Sequence, residues 1–250
     1  MEKYTALLAV DAEKFSTHRD IDLPRLHMEI RHALEAACVS SGLAEVWRDV
    51  RFLESTGDGI LAVLPYEAIP ALVDRFPFRL QDALAAVAPE LRAKTLTLRL
   101  RVALHVGLVD DERTEAPGIS TATIDVCRLL DSEPLREALR QSDPSVTFVV
   151  LLLSEEVFTT YVAGGRTTLR ESQFTPVEVT VKQFSRPAYR CIPTPSGTLD
   201  PLPAVEATEP APTAPPTTGA ISLNGITISG KRSQNVLGNL VSGDLNAEQS

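Results

Sequence analysis

The chain has 250 residues, 44% of them hydrophobic, enough to bury one full domain with extra segments or two small domains. Its formal net charge of −9 argues against a nucleic-acid-binding surface, which needs clustered Lys and Arg to displace counterions. Three cysteines, Cys38, Cys127 and Cys191, are odd in number and lack CxxC spacing; they fit neither a zinc site nor a disulfide framework, and predict small buried residues in a reducing, cytoplasmic compartment.

The apolar run from Ala6 to Val10 is too short for a signal peptide or a membrane span, so Thr5 to Asp11 reads as a buried strand and no membrane association is expected. Ile21 to Gly42 has helical spacing, with Leu23, Leu26, Ile30, Ala33, Leu34 and Ala37 on one face. Val46 to Leu53 and Gly59 to Leu64 read as two strands joined by the turn Glu54-Ser55-Thr56-Gly57-Asp58. Ile69 to Leu91 is predicted helical. Leu96 to Val109 alternates as a long strand, which places Arg99 and Arg101 on a solvated face and His105 as a packed residue. Thr121 to Leu139 is predicted helical, Val146 to Leu153 is a buried strand, and a short helix follows at Glu155 to Tyr161. Val177 to Lys182 and Ala188 to Ile192 form a closing hairpin. Trp47 belongs to the core, and Asp110-Asp111-Glu112 to an exposed loop end.

Composition divides the chain into 1–192, 193–219 and 220–250. The middle segment holds eight of the 18 prolines, many threonines and no Lys or Arg; it reads as a disordered, extended tether. The last segment contains two β-prone runs, ISLNGITISG and NVLGNLVSGDLN, each too small to fold alone. Stacked identical chains would stabilise such runs through asparagine ladders and dry apolar faces.

Asp11 ends a buried strand and Asp58 sits in a hairpin turn. Two carboxylates at one sheet edge suit hard cations, and two ions there activate a hydroxyl and stabilise transferring phosphates. On spacing alone the same residues read more readily as turn formers.

An ordered set of segments resembles the class III adenylyl and guanylyl cyclases. LLAVDAEKFS resembles that family's first strand, STGDGILAVLP its Gly-Asp hairpin, and LRVALHVGLV its long following strand. Gly118 to Leu129 resembles the helix bearing a catalytic Arg, and VTVKQFSRPAY the terminal hairpin with its Lys. The resemblance implies an α+β, ferredoxin-like sandwich with a mainly antiparallel sheet flanked by helices, acting as a homodimer. It implies that Asp11 and Asp58 ligate two Mg2+ or Mn2+ ions, that backbone N–H groups from Ala12 to Phe15 touch a nucleoside triphosphate, and that Lys182 holds its terminal phosphates. Arg128 would stabilise transition-state charge. The resemblance also places Glu54 at the family's base-reading position, where a carboxylate would accept hydrogen bonds from a guanine edge. One departure stands out: Ile124 replaces the family's ribose-binding Asn four residues before the Arg. The expected activity is therefore nucleotide binding with formation of a cyclic nucleotide, the alternative being a catalytically silent signalling module.

The tail, with Asn224-Gly225-Ile226-Thr227-Ile228-Ser229-Gly230, then Gln234-Asn235-Val236 and Gly243-Asp244-Leu245, resembles bacterial amyloid signalling motifs. That resemblance implies a partner protein carrying a matching motif, in an immune or conflict system. A β-hairpin or disordered tail without a templating role is the other reading.

Overall fold

The computed structural model describes residues 2–50, 52–55, 57–110, 112, 114–196, 222–223 and 226–227. The chain divides into two compact units, Met1–Asp200 and Pro201–Ser250. The first is built on a seven-stranded sheet in the order β2-β3-β1-β4-β5-β7-β6. Its strands are β1 (Lys3–Ala12), β2 (Phe52–Ser55), β3 (Gly59–Pro65), β4 (Leu100–Val109), β5 (Val149–Ser154), β6 (Thr175–Val181) and β7 (Phe184–Cys191). Only the β4–β5 pair is parallel among the ladders of this sheet.

Helices cover both faces, which is why β1 is a continuous apolar run and not an alternating one. Ala6, Leu8, Val10 and Ala12 point into a large core shared with α1 (Leu23–Ser40), α3 (Ile69–Asp74) and α4 (Phe76–Arg92). Leu7 and Ala9 point the other way, into a smaller core with α5 (Thr121–Leu130) and α6 (Glu133–Gln141). The cross-strand register carries this second face over the sheet: Glu54 lies opposite Leu61, Leu61 opposite Ala9, and Ala9 opposite Ala103. In the adjacent row Asp11 is paired with Gly59 on one side and Arg101 on the other.

Several expected elements change. Val46 to Leu53 is not one strand: α2 (Ala44–Arg48) precedes a short β2. Leu43, Val46, Trp47 and Val50 follow the i, i+3, i+4, i+7 spacing of a helix, and all four pack on the main core. The helix expected from Ile69 to Leu91 breaks at Arg75, because Pro77 belongs in the first turn of a new helix and not inside an old one. The helix from Thr121 to Leu139 breaks at Asp131-Ser132 for the same reason, with Pro134 in the first turn of α6. Leu96 to Arg99 precedes the sheet instead of opening β4. After β5, α7 (Glu155–Val157) runs into a π-type turn, Phe158–Ala163.

Arg99 and Arg101 are not on a solvated face. Arg99 is 6% exposed and Arg101 is largely buried, because β4 is a central strand with helices over both sides and Arg99 leads directly into it. Cys38 and Cys191 are buried as expected, whereas Cys127 is exposed on α5.

Helix α5 sits tightly on β4 at Gly107. A β-carbon built there would stand 2.4 Å from that of Ala122, closer than packed atoms approach. Gly107→Ala is therefore expected to push α5 off the sheet and destabilise the fold by about 1–3 kcal/mol. Urea unfolding measures this directly.

Of the segment 193–219, only 193–196 are described, and they dock on the sheet unit: Thr147 Oγ1 donates to the Thr194 carbonyl at 2.6 Å. Of 220–250, Ser222–Leu223 pairs antiparallel with Ile226–Thr227. The rest of the linker and of the amyloid-like motif lies outside the described residues. Among the described residues no helix is long and apolar enough to cross a membrane.

Candidate functional site

Asp11 lies near the end of β1, on the α5 side of the sheet, with Arg101 beside it on β4. Their side chains form an ion pair, both largely buried. Burial holds the Asp11 carboxyl above its usual range; the Arg101 guanidinium opposes this, and the nearby charges of Asp58 and Asp131 add to it. Asp58 is positioned by the hairpin: its carbonyl accepts from the Ala12 N–H at 2.9 Å, tying the turn to the end of β1. His27 on α1 secures the same turn, its Nδ1 lying 2.8 Å from the Gly57 carbonyl. Asp11 and Asp58 thus lie within electrostatic reach of each other, although they are 47 positions apart in sequence.

The segment after β1 turns sharply. Lys14 adopts a left-handed conformation with φ 55°, leading into a single 3-10 turn at Phe15–Thr17. The turn is fixed from below by Arg99, which donates to Glu13 Oε2 at 3.0 Å, to the Thr147 carbonyl at 2.9 Å and to the Leu139 carbonyl at 2.7 Å. Phe15 packs against the main core.

Glu54, Arg128 and Lys182 line one cavity of about 490 Å³, together with Ile124, Cys127 and Asp131. Glu54 reaches it from β2, and Arg128 from the last turns of α5. Lys182 reaches it from the two-residue β6–β7 turn, where its backbone is left-handed with φ 56°. Left-handed non-glycine residues are costly and concentrate at functional sites, and the segment Ala12–Phe15 and this turn each carry one. Arg128 is engaged within the chain: its Nη1 lies 3.0 Å from Asp125 Oδ1, and its guanidinium stacks over Phe184 at 5.3 Å. Ile124 is 47% exposed at the cavity wall. Cys127 is exposed as a residue, yet partial desolvation of its thiol against the cavity wall, then the charges of Asp131 and Glu54, raise that thiol above its ordinary range.

The six expected site residues therefore fall into two groups. Asp11, Asp58 and the turn containing Phe15 form one, and Glu54, Arg128 and Lys182 form the other. Asp131 stands between them, lining the cavity while acting on Asp11. Among the described residues no cluster of three or more His, Cys, Asp or Glu side chains is arranged to hold a metal ion. Three participants escaped the sequence: Arg101 beside Asp11, Arg99 beneath the turn, and Asp125 holding Arg128. The last had a signal, since an Asp three residues before an Arg on a helix is a neighbour.

His105 faces the same side of β4 as Arg101, deeper in the sheet. Burial holds its pKa below the ordinary 6.5, against the attraction of Glu156 and Asp125. An unfolded His105 takes up a proton that the folded one resists. Its stabilising contribution is thus present above 6.5 and lost as pH falls toward the depressed folded value. Stability measured by urea unfolding at about pH 7 and about pH 5.5 is expected to drop more in the wild type than in His105→Gln.

No protein-family model matches the sequence, and no curated protein does. Solved structures do match. The guanylyl cyclase Cya2 superposes with a TM-score of 0.54 at 15% identity, over 80% of this chain and 95% of that one. A bacterial light-regulated adenylyl cyclase gives 0.53 at 14% identity, over 76% of this chain and 90% of its own. A second structure of a bacterial light-regulated adenylyl cyclase gives 0.53 at 14% identity, over 78% of this chain and 54% of that one. On the seven-stranded sheet, the helices over both its faces and these superpositions, the chain has a divergent version of the class III adenylyl and guanylyl cyclase fold.

Proposed function

We propose that the chain is a nucleotidyl cyclase-like signalling protein that binds a nucleoside triphosphate with divalent metal and forms a cyclic nucleotide. The observation that carries this reading is the convergence of Glu54, Arg128 and Lys182, from three separate elements, on one cavity.

The metal half of the site suits Mg2+ or Mn2+. Mg2+ is commonly held by one or two carboxylates with substrate phosphates completing its shell, so a pair such as Asp11 and Asp58 is an appropriate donor set without a third protein ligand. Burial and mutual repulsion at Asp11 favour an added positive charge, now supplied by Arg101. When bound, the ions would lower the charge on the triphosphate and activate the attacking hydroxyl.

The chain's own groups do the rest. The Ala12 and Glu13 N–H groups already donate to the Asp58 and Arg99 carbonyls, so within Ala12 to Phe15 the N–H groups of Lys14 and Phe15 would hold phosphate oxygens, on a turn fixed by Arg99. Glu54 accepts from the amino edge of a base, guanine by preference. Cyclisation forms a bond between the 3′-oxygen and the α-phosphorus, breaks the bond to pyrophosphate, and releases the hydroxyl proton to solvent. The leaving pyrophosphate gathers negative charge, which Lys182 and Arg128 offset. For this Arg128 must leave Asp125. Among the described residues Glu54, Arg128 and Lys182 line one cavity whose lining does not include Asp11 or Asp58; we infer a homodimer whose facing copies each supply half of a site.

Purified full-length chain with Mn2+ and each of the four ribonucleoside triphosphates is expected to release pyrophosphate with at least one of them, and Asp58→Asn to stop it. No release with any nucleotide would overturn the enzyme reading.

Ile124 favours a second reading. An isoleucine at the cavity wall offers no hydrogen bond to a ribose, and Arg128 is held by Asp125. On that reading the fold is a silent module, and the 220–250 tail recruits a partner with a matching motif in a bacterial conflict system. A synthetic 220–250 peptide is then expected to form thioflavin-positive fibrils; a peptide that stays monomeric would count against it.

A further inference from the structure

A second cavity, of about 570 Å³, opens toward the C-terminal end of β4, between the first turn of α5, the β5–α7 junction and the start of β7. His105 lies in its wall, 9% exposed. The ring's Nδ1 is buried and makes no hydrogen bond among the described residues. Glu156 Oε2 stands 3.7 Å from it, beyond direct hydrogen-bond reach. Burial keeps the imidazole neutral near pH 7, and a neutral imidazole always presents one acceptor nitrogen.

Acceptors and negative charge therefore outweigh cationic donors here. The imidazole, Glu156 and Asp125 line the cavity, with Glu2 and Glu155 adding negative charge and Arg186 the one Lys or Arg among the lining residues. Tyr4, Leu108 and Ile119 give the walls apolar character, and each is about half exposed. Acceptors, excess negative charge and an aromatic ring fit a cation with an apolar body, and do not fit a phosphate or carboxylate.

We propose that this cavity binds a small organic cation, a primary or secondary ammonium on an apolar body, and that its occupancy releases Arg128. Asp125 carries the coupling. It lines this cavity, while its carboxylate holds Arg128, which lines the neighbouring one. An ammonium drawn toward Glu156 and Asp125 competes with the guanidinium for Asp125. Arg128 is then free to meet a phosphate. The binding half stands by itself; the coupling half rests on the nucleotide reading above.

The test uses the full chain and phenethylammonium, with phenylacetate and inorganic phosphate as anionic controls, in calorimetric titrations. Saturable binding of phenethylammonium alone is expected, weakened about tenfold or more by Glu156→Gln, which loses a charge-assisted hydrogen bond. Glu156 has a 45% exposed side chain, so the variant should keep its fold. No saturable binding, equal binding to Glu156→Gln, or preference for phosphate would overturn the site. For the coupling, phenethylammonium is expected to raise the affinity for Mn2+–GTP at least about fivefold in the wild type. It should leave Asp125→Asn, where Arg128 is already free, unchanged. An affinity that does not respond in the wild type would overturn the coupling. A chain that binds no Mn2+–GTP in either state would overturn the nucleotide reading and the coupling together, leaving the ammonium titration to decide the site.

Discussion

An Arg99→Met substitution is expected to lower the unfolding free energy by about 3–5 kcal/mol, the range for breaking a buried charge pair by removing one partner. Methionine replaces much of the stem but none of the donors. The Thr147 carbonyl loses the guanidinium, the Leu139 carbonyl keeps only the Ser142 N–H, and Glu13 is left with an uncompensated charge in a largely buried position. Glu13→Gln should cost less, about 1–3 kcal/mol, because the guanidinium keeps its two backbone acceptors. Guanidinium chloride unfolding of the two variants tests the ordering. An Arg99→Met chain as stable as the wild type would show that the buried fork contributes no net stability. The same clamp bears on function, since it fixes the turn whose N–H groups are proposed to hold the triphosphate.

The second large effect concerns the division of the site. Asp11→Asn and Arg128→Ala are each expected to reduce pyrophosphate release at least about 10²-fold, the usual scale for losing one charge-stabilising group. If facing copies each supply half of a site, the variants complement. An equimolar mixture forms heterodimers in which one of the two sites combines an intact Asp11 with an intact Arg128. Activity in the mixture is therefore expected to recover well above either variant alone. Mixtures no more active than their components would place both residues in the same site of one chain.

Much of this arrangement is legible in the sequence, for physical reasons. A strand buried on both faces leaves an unbroken apolar run, so β1 and the position of Asp11 at its end are plain. The Gly-Asp turn announces a hairpin, and that hairpin delivers Asp58 to the end of β1. What stays hidden depends on which faces are covered. Alternation along β4 places Arg99 and Arg101 on one face, but not under α5 and α6. Without those helices an arginine on a strand reads as solvated; with them it becomes a buried partner for Glu13 or Asp11. The Val46 to Leu53 segment is misleading for a related reason. Its apolar residues satisfy a strand by composition and a helix by spacing, and contact with the main core favours the helix for its first half. The orphaned nitrogen of His105 has no sequence signature, because it arises from the packing of α5 and α7 around β4.

Asp11 and Asp58 are proposed to recruit divalent metal to a nucleotide held by Glu54, Arg128 and Lys182. Calorimetric titration of the full chain with a GTP analogue resistant to cleavage at the α-phosphate, with and without Mn2+, tests it most directly. Saturable binding is expected only with Mn2+, abolished in an Asp11→Asn/Asp58→Asn double variant and weakened about tenfold or more by Lys182→Ala, which removes a charge-assisted contact. Binding that is equal without Mn2+, or unchanged in the double variant, would contradict the account.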